Sequence, residues 1–212
     1  MDRIERAICA AIQSTLQQQG FELHKDWGYF VREQAYGFDA LLVVNQGTAK
    51  GRFFEIKCYA EVRHDRIEVP WNTLGFVYGE DNRRQTWTLN YKDMADPQSA
   101  PMKVVPASMT ADVEHLSQRI STLFNQKALP FYQRFGDLGE VEAWANKIPL
   151  AEINPSVGGP MEHRAMRSLM LAKAVNPGRY AAVREAFITL DKGMFPREKR
   201  LAMLGQVEAM TL

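Results

Sequence analysis

From Phe53 to Arg63 apolar and polar side chains take turns. Phe54, Ile56, Cys58, Ala60 and Val62 fall on one side, and Glu55, Lys57, Glu61 and Arg63 on the other. A period of two predicts a strand with one buried and one wet face. The chain before it opens with a different period. Ile4, Ile8, Ile12 and Leu16 recur every four residues, the single stripe of an amphipathic helix, with Asp2 placed to cap its start and Gly20 to end it. Short strands are expected at Phe21–Leu23 and Tyr29–Arg32, around the turn-like Lys25-Asp26-Trp27-Gly28. In Phe38–Asn45 the adjacent Leu41, Leu42, Val43 and Val44 predict a strand covered on both faces. Gln46–Gly51 reads as a hairpin loop, and Ile67–Val69 as an edge strand halted by Pro70. Leu74, Phe76 and Tyr78 alternate weakly. Thr86–Tyr91 alternates well, with Trp87, Leu89 and Tyr91 inward. Strands joined by short loops pair antiparallel, because a parallel crossover needs a dozen or more residues.

Beyond a proline-bearing stretch, Asp93–Ser108, the period becomes helical throughout. Ser108 or Thr110 caps a helix striped by Val113, Leu116, Ile120 and Phe124, which Pro130 interrupts. Asp137 starts a short helix holding Val141, Trp144 and Ala145. Met161–Val175 follows, then Asn176-Pro177-Gly178 as a helix-to-helix turn. Tyr180, Val183, Phe187 and Leu190 stripe the next helix, and Leu201, Leu204 and Val207 pack the last, with Pro196 at its first position. The expected fold is α+β: an N-terminal helix on an antiparallel meander of about five or six strands, then an all-helical C-terminal half. The expected division is residues 1–108, helix plus sheet, and 109–212, helical.

Composition narrows the classes. The 212 residues are 46% apolar and 24% charged with a net charge of +1, ordinary for a globular protein and without the basic excess of a duplex-binding one. Nucleic acid is therefore not an expected partner. No run approaches the ~18 apolar residues of a membrane span, and the N-terminus mixes both charge signs, so a cytoplasmic protein off the membrane is expected. Cys9 and Cys58 make neither a disulfide framework nor a zinc cluster.

No motif forces a reaction. There is no Gly-x-Ser-x-Gly elbow, no Walker-type loop and no Gly-x-Gly-x-x-Gly. His24, His64, His115 and His163 stand in no metal-ligand spacing, so neither metal nor cofactor is expected. The densest polar cluster, Glu61, Arg63, His64, Asp65, Arg66 and Glu68, reads as a solvated hairpin end. From Pro160 onward basic residues exceed acidic ones, and Arg164, Arg167, Arg179, Arg184, Arg197, Lys199 and Arg200 suit an acidic protein partner. Trp27 and Trp71 fall near expected turns, where large aromatics anchor interfaces, and Arg83 and Arg84 sit in the charged loop Glu80–Gln85.

The order of pieces resembles small bacterial α+β families of unknown function, some of them immunity proteins to secreted toxins. The residues behind the resemblance are the Gly20-Phe21 step, Arg63-His64-Asp65-Arg66-Ile67-Glu68 closing the meander, and Leu129-Pro130-Phe131-Tyr132 before an acidic short helix. It spans residues 4–146 and transfers no catalytic residue. It implies a non-catalytic, immunity-like protein that binds another protein, with Trp27, Trp71, Arg83 and Arg84 as its candidate surface. The alternative is a small-molecule enzyme whose site lies between the sheet face and the helical half. Glu55, Lys57, Tyr59, Glu61 and Arg63 would line that site.

Overall fold

A computed structural model describes residues 2–24, 29–47, 53–74, 88–91, 102–105, 108–147, 157, 161–189 and 196–212. The architecture is α+β: an N-terminal helix, an antiparallel sheet, then helices. Helix α1 is Arg3–Gln17. Strands β1 (Glu22–His24), β2 (Tyr29–Gln34), β3 (Gly37–Asn45), β4 (Phe54–His64) and β5 (Leu89–Tyr91) lie in that order across the sheet, and β6 (Lys103–Val104) also pairs with β4. Register is set by Glu22↔Val31, Phe30↔Leu41 and Glu55↔Lys103. Among the described residues no helix is long and apolar enough to cross a membrane.

The chain divides into two compact units: residues 1–61 with 91–133, and 62–90 with 134–212. Each unit takes segments from both sides of the division expected near residue 108.

In the first unit α1 buries Ile4, Ile8, Cys9, Ile12 and Leu16 and packs on β1, β3 and α3 (Met109–Leu123). Its start is a reciprocal box. Asp2 Oδ1 accepts the N–H groups of Ile4 and Glu5, both at 2.8 Å, and Glu5 Oε2 accepts the N–H of Asp2 at 2.8 Å. Its end turns at Gly20, where φ of +78° lets the Phe21 N–H reach back to the Leu16 carbonyl at 3.1 Å. Burial would raise the Asp2 pKa. The Glu5 N–H, the Asn45 side chain and the Ile4 N–H outweigh it and hold Asp2 below its ordinary 3.8. A lowered carboxylate stabilises the fold above its unfolded value and loses that contribution as pH falls through the folded one. Asp2→Ala is therefore expected to weaken α1 by about 1 kcal/mol at neutral pH. The gap to the parent should shrink below pH ~3.8. Hydrogen exchange at α1 amides against pH checks this, and an unchanged gap would refute it.

Strand β3 is buried on one face at Asp39, Leu41 and Val43 and on the other at Phe38 and Ala40, while Leu42 and Val44 are half-buried, so the double cover expected from the apolar run holds in part. Phe30 and Leu41 are fully buried, and Tyr29, Val31, Phe38 and Ala40 form a second cluster against which Leu42 packs. Pro130 does not interrupt the third helix. A π-helical segment, Phe124–Ala128, joins α3 to α4 (Leu129–Phe135), and the Leu129 N–H reaches the Phe124 carbonyl. Proline lacks an N–H and crowds the preceding turn, and a locally widened turn is one way to keep a helix going past it. Along this continuous helix Leu116, Ile120, Phe124, Phe131 and Tyr132 are buried, while Val113 is only half-buried. The Phe21 ring meets Phe124 edge-on at 5.3 Å and Tyr132 at 5.3 Å.

The second unit corrects several sequence expectations. Ile67–Val69 is not an edge strand but part of helix α2, Asp65–Asn72. Ile67 and Trp71, four residues apart, are both 0% exposed, whereas Val69 is 55% exposed. Burial thus follows the helical period and not the alternation of Ile67 and Val69. Helix α5 (Leu138–Ala145) starts at Asp137, whose Oδ1 accepts the Glu140 N–H at 3.0 Å. Helix α6 (Met161–Val175) is buried continuously from Ala165 to Ala172 and is the axis of this unit. Asn176 caps α7 (Pro177–Ile188), with Pro177 at its first position. In α8 (Arg197–Ala209) Met203, Leu204 and Val207 are buried, while Leu201, expected inside, is 37% exposed. Pro196 precedes α8 as its N-cap residue. Lys173 Nζ seals the far end of α8, donating to the carbonyls of Val207, Glu208 and Met210 at 2.8, 2.9 and 2.6 Å. Leu89 is buried and Tyr91 38% exposed. Phe76, Tyr78, Trp87 and Leu190 lie outside the described residues.

Candidate functional site

In the first unit the polar side of β4 carries Glu55, Lys57 and Tyr59, all half-buried as a partly wet strand face requires. Lys57 Nζ lies 3.0 Å from Glu55 Oε1, and Gln46 Nε2 donates to the Tyr59 hydroxyl at 3.1 Å. Across from Glu55 sits Lys103, whose ammonium is 4.3 Å from the Phe53 ring centroid. Glu61 continues the same side of the strand but is buried. Arg63, on the second unit's part of β4, is 1% exposed with Nε 2.6 Å from Asp65 Oδ1. The alternation of β4 therefore holds, but its polar face is wet only at the Glu55 end.

The solvated hairpin end expected at Glu61–Glu68 is likewise corrected. Glu61, Arg63, His64 and Glu68 are all buried, because the chain passes from strand directly into α2. His64 Nε2 donates to the Phe135 carbonyl at 2.8 Å, and Glu68 is the centre of a network. Arg167 reaches Glu68 with Nε and Nη2, each at 2.8 Å, and the Thr88 hydroxyl adds a bond at 3.1 Å. The Arg167 guanidinium lies 4.1 Å over the Trp71 ring, and His163 meets the same indole at 5.1 Å. Trp71 is thus an interior anchor of its unit and not an exposed one. Trp27, Arg83 and Arg84 lie outside the described residues.

Of the basic residues of the C-terminal part, Arg167 and Arg200 are buried, Arg179 and Arg184 are half-exposed, and Arg197 and Lys199 are exposed. Besides Arg167, Arg179 pairs with the buried Glu142 at 3.2 Å, Arg184 with Glu208 at 2.7 Å, and Arg200 donates to the Ile188 carbonyl at 3.2 Å. In the first unit the fully buried Asp39 accepts from Arg32, Gln34 and Tyr36. A charged residue inside an apolar strand run needs a buried partner, and that was the one sequence signal for Asp39. Nothing local marks Glu68 or Glu142.

Buried carboxylates answered by arginine are stable acceptors with their lone pairs in use, not poised bases. Burial, then Glu5, pushes the Cys9 thiol up to about 11, so it stays protonated and poorly nucleophilic at neutral pH. Among the described residues no group of three His, Cys, Asp or Glu side chains is placed to hold a metal ion. One open groove of about 640 Å³ is lined by Ala11, Thr15, Val113 and Ser117, and a hollow of about 330 Å³ by Glu22, His24, Val31 and Glu33. Neither is lined by the β4 row. No protein-family model matches the chain, and neither does any curated protein or solved structure, so its reading rests on these residues alone.

Proposed function

We propose that the protein is a non-catalytic binding module whose partner is another protein, an immunity-like role in keeping with the resemblance of its sequence. The observation that carries this reading is the half-exposed face of the first unit built from Phe53, Glu55, Lys57, Tyr59 and Lys103. It mixes both charge signs with aromatic rings, the composition of an interface rim. Its side chains are already held by the Lys57–Glu55 pair, the Gln46–Tyr59 bond and the Lys103–Phe53 contact. Side chains fixed before association lose little rotamer freedom on binding. The enzyme alternative asks the same row to present an uncompensated carboxylate. Glu55 is instead paired, and Glu61 and Arg63 are buried.

Affinity capture from a native lysate, followed by mass spectrometry, tests the reading. A stoichiometric protein partner is expected, with at least ~10-fold weaker capture by the Lys57→Glu, Lys103→Glu double variant, since like-charge juxtaposition at an interface costs more than 1.4 kcal/mol. Capture that ignores the double variant would remove this face. A co-purifying small molecule with no protein partner would favour the enzyme.

A further inference from the structure

Strands β4 and β6 pair so that Glu55 faces Lys103. Continued by one step, that register sets Val105 opposite Phe53, at one end of the half-exposed face. Phe53 is half-buried and Val105 is 41% exposed. Lys103 is exposed as well, and its ammonium rests 4.3 Å from the centre of the Phe53 ring. An apolar step of two side chains thus stands beside a cation. The charges along the row are unequal. Lys57 is answered by Glu55 at 3.0 Å, and among the described residues no carboxylate pairs with Lys103. Its contact with the ring is weak at an exposed site and leaves the ammonium hydrogens to an acceptor.

Another acidic group at this end is Asp112, in the first turn of α3. It accepts the Val105 N–H at 2.7 Å and the Ser108 hydroxyl at 2.8 Å, and its charge is offset further by the helix N-terminus. The Val105 carbonyl in turn accepts the Ser108 N–H at 3.0 Å. With both backbone groups of Val105 in use, no further strand can be added to the sheet there. A partner reaches this end across the face, through side chains.

We propose that the partner of this face presents an acidic and apolar segment, an inference that rests on the protein-binding reading above. One carboxylate of the segment meets Lys103, and a neighbouring apolar side chain covers Phe53 and Val105. The row sets the ammonium groups of Lys57 and Lys103 against the single carboxylate of Glu55, so a basic segment would meet a surplus of its own sign. A wholly apolar segment would take the Lys103 charge out of water without an answering group. An acidic segment with an apolar neighbour avoids both costs. Its carboxylate draws the Lys103 ammonium off Phe53, and the ring then takes the apolar contact.

The probe is a short peptide of alternating Asp and Leu, titrated into the nitrogen-15-labelled full chain, with a peptide of alternating Asn and Leu as its uncharged control. The acidic peptide should shift the amides of Phe53, Lys103 and Val105 and bind more tightly than the control. Lys103→Arg keeps the charge and the ring contact and should bind as the parent does. Lys103→Gln should bind about 2–5-fold more weakly, the range of one exposed ion pair, and the difference should close at high salt. Thermal melts of both variants should match the parent, since Lys103 is exposed. Equal binding of the two peptides would overturn the proposal, as would Lys103→Gln binding like the parent, or an acidic peptide that leaves these three amides unmoved. If any of these came with a lysate partner that the Lys57→Glu, Lys103→Glu variant fails to capture, the face would still bind a protein, and only its acidic character would fall. Lysate capture that ignores the double variant would remove the face, and this inference with it.

Discussion

Arg167→Met is expected to destabilise the second unit by roughly 3–5 kcal/mol, because it strands the Glu68 carboxylate in a site that excludes water. Glu68 is 0% exposed and takes both charge-assisted bonds of its network from Arg167. The Thr88 hydroxyl that remains is a neutral donor, and such a bond contributes only about 1 kcal/mol. At 2–4 °C per kcal/mol for a chain of this size, the melting temperature should fall by roughly 6–20 °C in a thermal melt followed by circular dichroism. Replacing both partners, Glu68→Leu with Arg167→Met, should recover most of the loss, since a buried pair exchanged for apolar side chains of similar volume is often neutral or better. A single variant melting within ~1 °C of the parent would mean that Glu68 has solvent or another cation at hand.

Trp71→Ala should have a comparable effect by a different route, about 3–5 kcal/mol from lost apolar contact and the cavity left behind. The indole is fully buried in α2, with Arg167 over its face and His163 at its side. Trp71→Phe keeps a ring under the guanidinium and should recover part of the loss. This separates packing from recognition. A Trp71→Ala protein that binds its partner less well should do so in proportion to its unfolded fraction, measured by melting the same sample. Weaker binding by a protein that melts normally would return Trp71 to an interface.

How far the chain can be read unaided is shown by these residues. Helix α1 and the first half of β4 were legible because one face of each is buried and the other is not, so Ile4 to Leu16 and Phe54 to Val62 carry clean periods, whereas β3 was legible from its unbroken apolar run. Helix α2 was misread because it is short. Over Ile67, Glu68 and Val69 an alternating pattern and a helical one differ by a single side chain, and Pro70 suggested a strand end. The half-wet row Glu55, Lys57, Tyr59 was visible for the same reason as β4 itself. The networks behind it were not. Arg32 and Asp39 are opposite each other only once the hairpin register exists. Glu68 and Arg167 are separated by 99 positions, a distance over which no local pattern speaks. Leu201 was expected inside from its spacing to Leu204. The face that α8 buries is instead set by Arg200, Met203, Leu204 and Val207.

Strand β4 runs through the boundary between the two compact units, which falls after Glu61. During synthesis this puts the chain in debt to residues not yet made. The first unit lacks β6, α3 and the start of α4 until residue 133 has emerged, and the second waits for α8. At ~5–20 residues per second, the apolar surface that these later elements cover stays open for several seconds on the ribosome. Exposed apolar surface of that kind recruits other chains, so recovery of this protein from a fast heterologous host should depend on chaperone supply more than its native contacts alone suggest.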